Sequence, residues 1–151
     1  MVNLRGQKRH ITLCTVKNNV IEDYSNIALT GMSARALVDD RSWGFSSTNM
    51  LNPRSVEGAL ANAIKLAKAS SRFKKKRIEL TATKVVEKNA RAPVKRKLQE
   101  ISAEDIVNIP FEAYRGVKDV GREVADAKAT YIGIEDEKYF LSSEGSRIKQ
   151  T

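Results

Sequence analysis

The chain is poor in the residues that carry covalent and metal chemistry. Among 151 residues there is one cysteine, Cys14, and one histidine, His10. A lone cysteine makes no internal disulfide. Structural zinc takes four Cys/His ligands and catalytic zinc three protein ligands, so no His/Cys-rich zinc site can assemble from this chain alone. No Asp/Glu spacing marks a carboxylate-only Mg²⁺ or Ca²⁺ site. The eight glycines are scattered, with neither GxGxxG nor GxxxxGK[ST], which removes the common phosphate-binding loops. No apolar run reaches the length of a membrane span. The N-terminal MVNLRGQKRHITL has no apolar signal core, so the expected location is cytoplasmic, with no membrane partner.

What is present is a soluble composition, 41% hydrophobic and 30% charged, enough for one domain with a core. The formal net charge is +9, which favours anionic partners at long range.

His10–Lys17 mixes β-branched residues with alternation and reads as a strand. Asn18-Asn19 suits a two-residue turn, because Asn tolerates positive φ. Val20–Leu29 reads as the returning strand, Gly31 as a break, and Met32–Val38 as a third strand. Asp39–Ser42 reads as a turn into a fourth strand, Ser42–Ser47. Together these predict an antiparallel meander. Asn52 then caps a helix with Pro53 in its first turn, and Val56, Leu60, Ala63, Ile64 and Ala67 form its stripe. Gly58 inside that helix costs about 1 kcal/mol relative to Ala and would allow close packing on the sheet.

Arg77–Val86 reads as a strand and 87–99 as a surface loop. Ser102 caps a second helix, interrupted or restarted near Pro110 and running to about Ala125, with Val117, Val120 and Val124 on its stripe. Lys128–Ile134 and Tyr139–Ser142 read as strands about a turn at Glu135–Lys138. Ser143-Glu144-Gly145 then turns into one last short strand. The expected class is α+β, a mostly antiparallel sheet with two main helices on one face.

Catalytic candidates are sparse. His10 lies at a basic strand edge with no acid to orient it, and Cys14 sits mid-strand as a small buried hydrophobe. No catalytic residue is assigned. The strongest binding signal is Arg72, Lys74, Lys75, Lys76 and Arg77, interrupted by Phe73, with Lys95, Arg96 and Lys97 adding to it. Aromatic-interleaved basic grooves bind single-stranded nucleic acid by stacking and phosphate contacts. The plainer reading, a solvated helix end on a basic protein, outweighs it. Trp43 and Phe45 share a strand face and read as core. Arg35 reads as exposed, or as the partner of Glu22 or Asp23.

Residues 29–71 carry an ordered pattern: Gly31, Arg35, Asp39-Asp40-Arg41, Gly44-Phe45-Ser46-Ser47, Thr48-Asn49 and a helix ending AIKLAKASS. This resembles the N-terminal part of the TldD/PmbA proteins, described as modulators of DNA gyrase and as zinc metallopeptidases. The hairpin VKNNVIEDYSN and the stretch YFLSSEG, 139–145, agree with it, so the match covers most of 10–71 and 128–147. SARALVDDRSWGFSSTNML thus corresponds to the family's third and fourth strands and the lead into its first sheet-covering helix. Family members begin with a helix before the first strand, for which this chain leaves no room. Their HExxxH zinc motif lies in a C-terminal domain, and no such motif occurs here.

The resemblance therefore implies one N-terminal-type domain over 1–151, with the metal-bearing C-terminal domain absent: a fragment, a split subunit or a degenerate relative. It implies a non-catalytic scaffold that encloses a peptide channel and works with a metal-bearing C-terminal half or homologous subunit, as a homo- or heterodimer acting on a peptide substrate. Zinc belongs to the full-length family, with no cofactor in this chain. The alternative is a small basic nucleic-acid-binding module using residues 72–77 and 95–97.

Overall fold

The computed structural model describes residues 1–121 and 123–151. It contains six strands: β1 (Val2–Lys17), β2 (Val20–Val38), β3 (Ser42–Thr48), β4 (Glu87–Ala90), β5 (Lys128–Ser142) and β6 (Arg147–Gln150). Two main helices are α1 (Pro53–Ser71) and α2 (Ala103–Lys118), with a 3-10 turn at Leu98–Glu100. The strands form one sheet in the order β3-β2-β1-β5-β6-β4. β2–β3 and β5–β6 are antiparallel, and β4–β6 is parallel. The class is α+β, as the sequence predicts.

The turns follow from residue chemistry. Asn18 and Asn19 take φ of 48° and 64°, and Asp39 and Asp40 take 55° and 51°. These are the left-handed conformations of hairpin turns, which Asn and Asp tolerate better than most side chains. Gly31 does not break β2, which runs unbroken through nineteen residues. A Cβ on Gly31 would lie 3.3 Å from the Thr48 carbonyl oxygen, so glycine admits a close neighbour within an extended strand.

The chain divides into two compact units, to both of which the long strands contribute. The first comprises 1–8, 29–92 and 136–151. Its core is Met32, Ala34 and Ala36 of β2 against Ala59 and Ala63 of α1, flanked by Val2, Leu4, Val56, Leu60 and Ile64. The Asn52 side chain caps α1 by accepting from Ser55 N at 2.9 Å, and Pro53 opens the helix. The helix comes very near the sheet at Gly44 of β3, where a Cβ would fall 2.6 Å from Ala67 N and nearer still to the Ala63 carbonyl oxygen. Gly58 has no such role: it is exposed, with nothing near its Cβ position.

The expected strand Arg77–Val86 is absent. This segment forms no strand, although Ile78 N donates to Asp40 O at 2.6 Å and, at its end, Val86 O accepts from Arg147 N of β6 at 2.9 Å. The polar Glu87–Ala90, expected as loop, forms β4 beside β6. Alternation reports which faces are apolar, not where a backbone finds partners, and here β6 offers its edge to EKNA. The turn expected at Glu135–Lys138 is also absent, since β5 runs straight through it. Its charges are met across the sheet: Gln7 donates to Asp136, and Lys149 pairs with Glu137.

The second unit comprises 9–28 and 93–135. Ser102 caps α2 by accepting from Asp105 N at 3.0 Å. Pro110 is fully buried inside α2, which continues past it. The core is Val16, Tyr114 and Ala127, flanked by Phe111, Val124 and Ala129. The buried stripe of α2 is Ile106, Pro110 and Tyr114, at spacings of four. Val117 and Val120 lie off it, Val120 being 81% exposed. The helix ends at Lys118, short of the expected Ala125; that expectation also crosses residue 122, outside the described residues.

Candidate functional site

His10 is exposed and Cys14 fully buried. Burial, and then the Asp23 charge, push the Cys14 thiol up, away from the thiolate form a nucleophile needs. Among the described residues no group of three or more His, Cys, Asp or Glu could hold a metal ion. No described helix is long and apolar enough to cross a membrane.

The basic residues fall into separate units. Arg72 and Lys74–Arg77 follow α1 in the first unit, all exposed, around a Phe73 that is 86% exposed. Lys95, Arg96 and Lys97 belong to the second unit. Arg96 donates to Glu100 O at 2.9 Å and pairs with Asp105 at 3.4 Å, while Lys97 N donates to the Glu100 carboxylate. This run thus stabilises the approach to α2.

The aromatic pair corrects an expectation. Trp43 is half-buried and Phe45 is 56% exposed, so neither forms the core under α1. The helix-facing side of β3 belongs to Ser42, Gly44 and Ser46, because α1 approaches too closely at Gly44 for a large side chain. Trp43 and Phe45 point to the opposite, helix-free face by strand alternation. There Phe45 pairs with Arg35, and Trp43 with Leu37. Arg35 stacks over Trp43 at 4.6 Å from the ring centroid. Glu22 pairs with Lys128 instead, at 2.7 Å.

The same face extends over β1 and β5 in the first unit. Met1 and Leu37 exchange backbone hydrogen bonds, Leu37 N to Met1 O at 2.8 Å and the terminal amine to Leu37 O at 3.2 Å. Two residues along each strand, Asn3 lies opposite Arg35. The Asn3 Oδ1 atom is buried with no hydrogen-bond partner. Arg5 lies over Phe140 at 5.5 Å. The helix-free face thus holds two guanidinium–aromatic stacks, an exposed phenyl ring and an unused amide oxygen. Alternation alone separates the two faces of SWGFSS but does not say which one α1 covers.

Comparison with known proteins bears on this arrangement. The family profile of PmbA/TldA metallopeptidase domain 1 matches residues 3–71. Those residues are similar to the first domain of PmbA/TldD-type proteins. A metalloprotease of Methanocaldococcus jannaschii is 27% identical over 144 residues, 95% of this chain and 31% of the relative. A Thermotoga maritima protein assigned as a modulator of a DNA gyrase superposes with a TM-score of 0.72 at 14% identity, covering 98% of this chain and 32% of that one. TldE from Thermococcus kodakarensis superposes with a TM-score of 0.68 at 17% identity, covering 99% and 33%. At these identities the structural likeness shows the shared fold. The chain spans about a third of the length of these relatives.

Proposed function

We propose that this chain acts as a non-catalytic first domain of a TldD/PmbA-type zinc metallopeptidase. Its work is to scaffold and wall a peptide channel, as a single cytoplasmic domain beside a metal-bearing C-terminal half or homologous subunit. The observation that carries the reading is the match over residues 3–71 to a metallopeptidase first domain in a chain with one histidine and one cysteine. Zinc chemistry then falls to the partner. β3 ends the sheet on one side, and an extended peptide can add to such an edge through backbone hydrogen bonds. The test is zinc content and peptidase activity of the purified chain. The expected result is no stoichiometric zinc and no hydrolysis; a chain holding one zinc per molecule refutes the reading.

One observation favours a second reading. Phe73 is 86% exposed amid Arg72, Lys74, Lys75, Lys76 and Arg77, a solvent-facing ring among cations as single-stranded nucleic acid requires. On this reading an oligonucleotide binds with a steep salt dependence, and charge reversal at Lys74, Lys75 and Lys76 weakens it. No binding at low salt removes it.

A further inference from the structure

We propose that the groove between the open edge of β3 and the outer flank of α1 binds an extended acidic polypeptide segment as an added strand. The inference rests on the peptide-channel reading and names the kind of peptide that the edge takes. The whole groove belongs to the first unit.

Its floor is backbone. β3 is last in the strand order and pairs only with β2, antiparallel over Ser42–Thr48. In such a pair every second residue turns its N–H and C=O away from its partner. Along β3 those groups face outward, where another strand can add. An alternating row of amide donors and acceptors matches a polypeptide, not a sugar-phosphate chain.

Its wall is the flank of α1 that overhangs this edge. Two contacts fix how α1 is turned. Ser70 Oγ lies 2.6 Å from Ser42 Oγ of β3, and Ser71 Oγ donates to Asp39, the first residue after β2, at 3.1 Å. Successive helix residues are turned by about 100°. Ser71 therefore points to the β2 side of Ser70, and Leu66, Ala69 and Phe73 lie about 40–100° to its other side, beyond β3. Phe73 keeps the spacing because the turn continues: Phe73 N donates to Ser70 O and Lys74 N to Ser71 O. Leu66 is 53% and Phe73 86% exposed, and Ala69 is exposed too. The contact of α1 with the sheet is made by Ala59, Ala63 and Ala67 instead. Leu66 and Phe73 stand about 10 Å apart along the helix. Alternate strand side chains stand about 7 Å apart, so two apolar residues of an added strand meet this stripe.

Charge selects the occupant. From Gly58 to Ile78 there is no Asp or Glu, against Lys65, Lys68, Arg72 and the four cations at 74–77. All are exposed, and none forms an ion pair among the described residues. The run 74–77 is tied to the Ser42 end of β3, since Ile78 N donates to Asp40 O. Carboxylates therefore belong at that end of the added strand. The same cations attract nucleic acid, but Phe73 alone offers one stacking platform, whereas the strand edge runs the length of β3.

The experiment follows fluorescence anisotropy of a fluorescein-labelled peptide, alternating Thr and Val and ending in three Glu, titrated with the full chain. The expected result is saturable binding at micromolar chain, and none by the same peptide ending in three Lys. Two further peptides carry N-methyl groups on alternate residues, one on odd and one on even positions. Only one set of amides meets β3, so one should bind and the other fail. Leu66→Ser and Phe73→Ser, both at exposed positions that leave the fold intact, should each weaken binding about tenfold. Reversal of Lys74, Lys75 and Lys76 to Glu should switch the preference to the lysine-ended peptide. Lys88→Glu, on the strand at the other edge of the sheet, should change nothing. No saturable binding overturns the proposal, as do two methylated peptides that behave alike. An oligothymidylate of equal length that binds more tightly and displaces the peptide gives the patch to nucleic acid and also overturns it. So does a dimer in sedimentation that the peptide does not dissociate, which makes the occupant a second copy. The first-domain reading is decided separately by zinc content, so it survives loss of the groove.

Discussion

Gly44→Ala is the sharpest probe of how α1 sits on the sheet. The added methyl would lie 2.6 Å from Ala67 N, 2.9 Å from the Ala63 carbonyl carbon and closer still to the Ala63 oxygen. All three are helix backbone, so no side-chain rotation relieves the clash. Either α1 backs away from β3 or β3 bends. Both loosen contacts made by Ala59, Ala63 and Ala67, which are buried against the sheet. Overpacking costs about 1–3 kcal/mol when side chains can yield, and a backbone obstacle puts this case at the upper end. Removing glycine restricts the unfolded chain and returns about 0.4–1 kcal/mol. The net expectation is a loss of about 2 kcal/mol. At about 2–4 °C per kcal/mol for a chain of this size, the melting temperature falls by roughly 4–8 °C. Gly58→Ala is the matched control. It lies exposed in the same helix with nothing near its Cβ position, so it should gain about 0.5–1 kcal/mol from helix propensity. Urea unfolding followed by far-UV circular dichroism reads both. If Gly44→Ala stays within 0.5 kcal/mol of wild type, the close approach of α1 to β3 is wrong.

Three further outcomes follow. Ser102→Ala removes the side-chain acceptor for Asp105 N and should cost about 1 kcal/mol, read by urea unfolding; Ser102→Asp should retain most of the stability. The Cys14 thiol, buried and pushed up in pKa, should resist dithionitrobenzoate in the native chain at neutral pH and react at once in urea; native labelling at the unfolded rate refutes its burial. Glu137 is held below its ordinary 4.5 by Lys149 and then Tyr139, and Lys149 is held above its ordinary 10.5 by Glu137. The carboxylate contributes above its unfolded pKa and loses this contribution as pH falls through its folded one. The ammonium contributes below its unfolded pKa and loses its contribution as pH rises through its folded one. The stability gap between wild type and Glu137→Gln should therefore persist from about pH 5 to 10 and close in acid; a gap unchanged at pH 2 refutes the pairing.

Much of the fold was legible where one residue's chemistry decides the backbone. Asn18-Asn19 and Asp39-Asp40 turn because their side chains tolerate positive φ, and Asn52-Pro53 and Ser102 begin helices because they satisfy or omit orphan N–H groups. Legibility failed where the outcome depends on a distant strand. Glu87–Ala90 carries no strand signal and becomes one because β6 runs beside it. Glu135–Lys138 looks like a polar turn, yet Gln7 and Lys149 are placed to receive its charges. Gly31 suggests a break when taken alone; beside the Thr48 carbonyl it is a strand residue with a crowded neighbour. The basic runs 72–77 and 95–97 sum to one signal by composition, but they belong to different units, and Arg96 is engaged in local bonds.

The face assigned to Trp43 and Phe45 is the most instructive failure, because the usual rule reverses there. Large apolar side chains normally mark the inward face of a strand. In β3 the inward face is Ser42, Gly44 and Ser46. The facing helix presents Ala59, Ala63 and Ala67, and the neighbouring strand presents Ala34 and Ala36. Small residues on both partners let a helix and a sheet meet almost backbone to backbone. The signal was the coincidence of small residues at i, i+4 and i+8 of α1 with alternate small residues in two strands. A direct consequence is testable. If Phe45 were core, truncation to alanine would cost about 3–5 kcal/mol. On an open face it should change stability by no more than about 0.5 kcal/mol, the usual range for a surface substitution. Urea unfolding of Phe45→Ala, with Met32→Ala as a buried reference expected to lose about 2–5 kcal/mol, separates the two cases. A loss above 2 kcal/mol at Phe45 would place that ring inside the fold and leave Arg35 without an open neighbour.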